Sequence, residues 1–253
     1  MFAKQALPEA LPVMGARVVP FESYTEALDC IEEAVAARRK ILCVAINPEK
    51  VYRAMCSREL LAVLNEAEMG ICDGIGVALA VRLLHGRWIP RCTGVDLFTR
   101  LLSRAVERRW SVFLLGASDR SNAAACSRLA VRYPGLQIAG RHHGYFDASQ
   151  PVIEQINACG ADLLLVAMGS PRQELWIARH RPAIAAPFCM GVGGAFDVIS
   201  GTVRRAPRFF QGTGTEFLYR LISNPRRLRR QIILPVYVMR VLRRALCGAA
   251  GRA

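Results

Sequence analysis

No stretch of this sequence stays apolar for the roughly 18 to 20 residues that cross a bilayer, so any membrane contact is expected to be peripheral. Its N-terminus, interrupted by Pro8, Pro12 and Pro20, also lacks the continuous apolar core of a secretory signal. Neither G-x-G-x-x-G nor G-x-x-x-x-G-K-[ST] occurs, which removes the usual sequence support for a dinucleotide-dependent enzyme or a P-loop ATPase. Asp-x-Asp is missing too. A nucleotide-sugar enzyme built on this chain would lack the usual acidic pair for a divalent metal and would need cations of its own. No Cys-x-x-Cys pair occurs among the nine cysteines, several of which sit in apolar runs (Cys43, Cys72, Cys189). That pattern points to reduced thiols in a cytosolic protein. His85, His142, His143 and His180 lack metal-ligand spacing with cysteine or acid, so no metal site and no cofactor are expected.

What is present is a globular composition with a lopsided charge. The 253 residues are 53% hydrophobic and 21% charged, enough for a full core and too apolar for disorder. Acid is scarce at the C-terminal end: from Arg204 onward twelve arginines stand against Glu216 alone, a net +11 of the chain's +14. The first two hundred residues therefore read as an ordinary enzyme-like body, and the remainder as a specialised basic segment for an anionic partner. Around Leu228 and Ile232, Arg226, Arg229 and Arg230 share the opposite helical face. Beyond Pro235, Arg240, Arg243 and Arg244 oppose Val238, Leu242 and Leu246. Basic amphipathic helices of this kind lie on anionic bilayers. Nucleic acid is not an expected partner, because the arginines come with Ile, Leu and Val rather than with aromatic stacking residues.

Short apolar runs (Ile41 to Ile46, Met69 to Cys72, Ser111 to Leu115, Gln137 to Ala139, Asp162 to Met168, Pro187 to Val192) alternate with helical patterns. The helices are expected over Glu49 to Glu66, Ile75 to Leu84, Gly94 to Arg108, Arg120 to Tyr133, Ser149 to Cys159 and Arg172 to Arg181. Such alternation implies an α/β fold: a Rossmann-like, mostly parallel sheet with helices on both faces. The body spans residues 1–201, and a helical, arginine-rich appendage spans 202–253. In such sheets ligands bind beyond the carboxyl ends of the strands. Asn47, Asp73, Gly116, Gly169 and Gly193 fall at those exits.

Each exit admits a structural reading beside a functional one. Asp73, in ICDGIG, is either a helix cap or a general base placed to take a proton from an acceptor hydroxyl. In RCTGVDL, Thr93 or Asp96 can cap a helix while Arg91 reaches toward phosphate. The turn at Gly116 can present backbone amides to a diphosphate. MGSPRQE makes a tight turn and then presents Arg172, Gln173 and Glu174, with Gln173 suited to sugar or nucleobase. GVGGAFDVISGTVRRAP joins a glycine turn at Gly193 and Gly194 to Asp197 and then to Arg204, Arg205 and Arg208.

INPEK (Ile46 to Lys50), DGIG (Asp73 to Gly76), TGVDL (Thr93 to Leu97), HHGYF (His142 to Phe146), MGSPRQE, GVGGAFD, RRAP and EFLYRL together resemble, in order and spacing over roughly residues 20 to 245, the WecG/TagA/CpsF glycosyltransferase family. The resemblance implies an inverting, metal-independent enzyme that moves a sugar from a UDP-sugar to a polyprenyl-diphosphate-linked saccharide. It would act on the inner face of a bacterial cytoplasmic membrane, in surface or exopolysaccharide synthesis. By the same resemblance Asp73 is the base. Asn47, Arg91, Gln173 and Asp197 line the donor pocket, with Gly74, Asp96, Gly116, Tyr145, Gly193 and Gly194 in the neighbouring motifs. Arg205, Arg220, Arg227 and Arg230 belong to the appendage that closes over the diphosphate and docks on the membrane. Ala45 departs from the threonine that many members carry two residues before Asn47. N-acetylmannosamine, its uronic acid and glucose all stay open as the donor sugar. Self-association stays open as well, and so does a rival reading in which the protein is a non-catalytic membrane adaptor with a nucleotide-binding body.

Overall fold

The computed structural model describes residues 7–203, 207, 210, 219 and 232–250. In chain order the elements are β1 (Leu11–Val13), β2 (Ala16–Val18), α1 (Tyr24–Ala36), β3 (Ile41–Ile46), α2 (Pro48–Met55), α3 (Arg58–Glu66), β4 (Met69–Cys72), α4 (Ile75–His85) and α5 (Gly94–Arg108). They continue with β5 (Ser111–Gly116), α6 (Asp119–Arg132), β6 (Gln137–His142), α7 (Ser149–Ala158), β7 (Leu163–Ala167), α8 (Arg172–His180), β8 (Phe188–Gly191), α9 (Ala195–Ile199) and α10 (Ile233–Ala250).

Six strands pair in the order β4-β3-β8-β7-β5-β6, every neighbour parallel. The two-residue period of a strand sorts their side chains into two cores. Leu42, Val44, Ile46, Leu115, Leu164 and Val166 face one layer, which α2, α3, α4, α7, α8 and α10 cover. Ile41, Cys43, Ala45, Leu114, Leu163 and Leu165 face the other, covered by α1, α5, α6 and α9. Burial on both faces explains why these strands read as unbroken apolar runs. The doubly covered, Rossmann-like sheet expected from the alternation is the observed architecture.

Three differences have local causes. The helix expected over Glu49 to Glu66 is two helices, because Ser57 leaves helical geometry and its hydroxyl accepts from the Leu60 amide, capping α3. The antiparallel β1–β2 hairpin and α1, neither anticipated, precede the sheet. The hairpin runs into the outer edge of β4, where the Val19 amide donates to the Gly70 carbonyl at 2.7 Å and covers an otherwise open edge. Finally, α10 buries Tyr237 and Val241 against the layer formed by α2 and α4. The face expected from the helical wheel (Val238, Leu242, Leu246) is exposed, as are Arg240, Arg243 and Arg244. None of the described helices is long and apolar enough to cross a membrane.

Candidate active site

Because all six strands run the same way, their carboxyl ends lie along one edge. Asp73 follows β4, Asn47 follows β3, Gly193 follows β8, Gly169 follows β7, Gly116 ends β5 and His143 to Tyr145 follow β6. At its carboxyl end β3 is followed by α2, which covers one face of the sheet, while its neighbour β8 is followed by α9, which covers the other. That divergence opens the crevice where open α/β sheets hold ligands.

Asp73 stands at the edge-strand end of this row. Its amide donates to the Ile46 carbonyl at 2.8 Å, which seats it beside Asn47. It does not cap α4. Gly74 occupies the cap position with φ +101° and no side-chain capping bond, so the capping reading of Asp73 is corrected. A residue with a Cβ would be strained at that φ although the space around it is open. Arg91 arrives at the same place because the Cys92 amide bonds the Cys72 carbonyl at 2.9 Å. Both charges act on the Cys72 thiol, which burial pushes up to about 12, with Asp73 adding to the rise and Arg91 opposing it. Asp73 and Arg91 are thus both close enough to the Cys72 thiol at the exit of β4 to act on it, one negative and one positive.

Asn47 caps α2, its Oδ1 accepting from the Lys50 amide at 2.9 Å, with Pro48 at the first helical position. Thr93, and not Asp96, caps α5: Thr93 Oγ1 accepts from the Asp96 amide and donates to Asp96 Oδ2 at 2.9 Å. Tyr24 closes this arrangement by accepting from the Thr93 amide at 3.0 Å, and burial raises its phenol pKa. Asp96 is therefore tied to the cap of α5, while Tyr24 takes the Thr93 amide that a capping-box acid would accept. In front of it, Phe21, Ser23, Tyr24, Arg91 and Arg100 line a cleft of about 370 Å³, where the Arg100 guanidinium stacks 4.7 Å over the Tyr24 ring.

The centre of the row is held from below by Lys50, Gln173 and Glu174. Lys50 and Glu174 form a buried ion pair at 2.8 Å that joins α2 to α8. Burial opposes ionisation of Glu174, yet the Lys50 charge and hydrogen bonds from Lys50 and Gln173 hold its pKa below the ordinary range. Gln173 is only 2% exposed. Its Nε2 donates to Glu174 at 2.9 Å and its Oε1 accepts from the Gly193 amide at 3.0 Å. Gln173 thus fixes the glycine turn after β8, and Gly191 leaves it room: a Cβ there would lie 2.4 Å from Nε2. Gly193 has φ +57°, Gly194 caps the short α9, and Asp197 lies in the first turn of that helix.

On the far side, Gly116 has φ +122°, and a Cβ would come within 2.4 Å of the Ala167 carbonyl oxygen, so only glycine fits. Asn122, fully buried, donates from Nδ2 to the carbonyls of Leu114, Gly116 and His142, stapling the exits of β5 and β6. The HHGYF loop is then clamped by Arg172, which donates to the Gly144 carbonyl at 3.0 Å, and it leaves Tyr145 exposed at the rim. Asn122 and Lys50 were missed as site residues. Lys50 was visible only as the charged end of INPEK, and Asn122 carries no signal within a helix of ordinary polar residues.

Arg205, Arg220, Arg227 and Arg230 lie outside the described residues. Among the described residues, no three His, Cys, Asp or Glu side chains come together as a metal site.

Known proteins resemble this chain over most of its length. Residues 12–250 match the model of the glycosyl transferase WecG/TagA/CpsF family. A Bacillus spizizenii protein named N-acetylglucosaminyldiphosphoundecaprenol N-acetyl-beta-D-mannosaminyltransferase is 38% identical over 206 residues, covering 81% of this chain and 80% of that one. A Bacillus subtilis protein of the same name is 33% identical over 233 residues, 92% of this chain and 89% of that one.

Proposed function

The chain belongs to the WecG/TagA/CpsF family of glycosyltransferases, and we propose that it transfers N-acetylmannosamine or a closely related sugar from a UDP donor to a polyprenyl-diphosphate-linked saccharide, with inversion and without a metal. The observation that carries this reading is the seating of Asp73 and Arg91 together at the exit of β4, beside Asn47 and the crevice that opens toward Gly193. The names of the two Bacillus relatives support the lipid-linked acceptor and N-acetylmannosamine.

In this mechanism the Asp73 carboxylate takes the proton of the acceptor hydroxyl. The freed oxygen attacks the anomeric carbon from the side opposite UDP, and the bond from that carbon to the diphosphate oxygen breaks. UDP departs with the electron pair. Its growing charge is the larger electrostatic task, met by Arg91, by the arginines of the C-terminal segment and by strand-exit backbone amides other than that of Gly193, which Gln173 holds. Water is a competing nucleophile, so closure over the donor must come with acceptor binding. The chemistry needs no redox partner and consumes no cofactor.

UDP release from a panel of UDP-sugars, measured with a lipid-diphosphate saccharide acceptor in the presence of EDTA, tests this reading. Acceptor-dependent release with one donor is the expected result. Release abolished by EDTA would overturn the metal-free mechanism, and no release from folded protein with any donor would favour the adaptor.

A further inference from the structure

Large apolar side chains left in water concentrate on two adjacent helices. On α4, Leu79 and Leu83 are 46% and 50% exposed, and Trp88, just beyond that helix, is 54% exposed. On α10, Val238 and Leu242 are 50% and 44% exposed. Contacts fix how the two helices meet. Tyr237 Oη donates to the Gly76 carbonyl at 3.3 Å, seating α10 on the first turn of α4, while the Arg240 guanidinium sits 5.4 Å over the Tyr52 ring of α2.

Helical rotation then sets the remaining faces. With Tyr237 pointing inward and Arg240 on the α2 side, Val238 and Leu242 turn toward the α4 side and outward. On α4, Leu83 lies within about 20° of Gly76, two turns further along, and Leu79 lies between them on the solvent side. The exposed leucines of the two helices therefore flank one seam. Neither helix contains an acidic residue, and Arg82 and Arg243 are exposed beside the strip, with Arg240 and Arg244 exposed on the α2 side of α10.

We propose that α4 of the α/β body, together with α10, forms a lipid-docking face that seats the protein on an anionic bilayer, so that membrane attachment is not a property of the arginine-rich segment alone. Apolar side chains rimmed by arginine and free of acid match the acyl boundary and anionic headgroups of a bilayer. They match a second copy poorly, since an isologous contact would set the same arginines against each other. The placement has a consequence for catalysis, which rests on the proposed function. The helix that carries Leu79 and Leu83 begins immediately after Asp73 and Gly74, and at 1.5 Å per residue these leucines lie only about 6 and 12 Å from its start. Docking therefore holds the exit of β4 close to the headgroup level, where a lipid-linked diphosphate saccharide emerges.

The test compares the full chain with its Leu79→Ser/Leu83→Ser variant, which keeps every arginine. Both are co-sedimented with phosphatidylcholine vesicles containing phosphatidylglycerol, and both are assayed on a vesicle-embedded acceptor and on a water-soluble short-chain acceptor. Vesicle partition should fall about tenfold or more, the scale of losing buried leucine area. The melting temperature should hold, turnover on the embedded acceptor should fall with partition, and turnover on the soluble acceptor should stay unchanged. Unchanged partition would overturn the proposal and leave attachment to the arginine-rich segment. Unchanged partition with a wild-type dimer that becomes a monomer by light scattering would assign the face to a second copy. If the wild-type chain turns over neither acceptor, the functional reading fails while the partition ratio still decides the docking face.

Discussion

Replacing Lys50 with methionine strips the charge from the floor of the site while keeping most of the side-chain volume. Lys50 and Glu174 are 4% and 1% exposed and 2.8 Å apart, so the substitution leaves an anion in a low-dielectric interior with only neutral side chains, Gln173 and Ser170, to stabilise it. Breaking such a pair from one side costs about 3–5 kcal/mol. For a chain of this size each kcal/mol moves the melting temperature by about 2–4 °C, which makes the expected loss roughly 6–20 °C. The cost comes from the stranded charge rather than from the missing bond, and a second substitution separates the two. In Lys50→Met/Glu174→Gln the carboxylate is neutral and Gln173 keeps an acceptor, so more than half of the loss should return. Scanning calorimetry and urea titration of the two variants read this directly. A single variant that costs less than about 1 kcal/mol, or a double variant no more stable than the single, would refute the argument.

The same pair sets an acid limit. The folded-state pKa of Glu174 is depressed, so below the ordinary glutamate range the unfolded chain binds more protons and stability rises with pH. The contribution is complete above that range and is lost as pH falls through the folded value. The urea midpoint should therefore drop on acidification below about pH 5, and drop less in the double variant. Gly116→Ala places a methyl against the Ala167 carbonyl at a φ that side chains avoid, and should destabilise by about 3 kcal/mol or more in urea titration. Its effect on donor affinity should exceed that of an equally destabilising core variant, because the strand exit itself must shift.

The sheet was legible because burial on both faces leaves most of its strands unbroken apolar runs. Ile41–Ile46 and Met69–Cys72 were read at their observed bounds for that reason. The edge strand β6, QIAGRH, is only partly buried and was read three residues short. Elements outside the sheet were harder. The β1–β2 hairpin has only three residues per strand and turns at Met14 and Gly15, both at positive φ, too short for a period to declare itself. Helix α1 did carry a signal in Ser23 followed by Glu26: the Ser23 hydroxyl accepts from the Glu26 amide, and Glu26 accepts from the Glu22 amide at 2.7 Å. Of the site, the strand-exit residues could be found, since a parallel sheet places them by topology alone. Partnerships across the sheet could not. Nothing in the spacing of Lys50 and Glu174, 124 residues apart, says that they meet, and nothing in α10 says that Tyr237 rather than Leu242 turns inward.

Asp73→Asn keeps the size and backbone bonding of the residue and removes only its capacity to take a proton, which makes it the most direct test of glycosyl transfer at the exit of β4. Turnover should be measured with the donor that the UDP-release panel selects, alongside UDP-sugar affinity and melting temperature. The account requires kcat to fall by about two to four orders of magnitude, the range of general-base catalysis, while donor affinity and stability hold. An Asp73→Asn enzyme that turns over at close to the wild-type rate would contradict it.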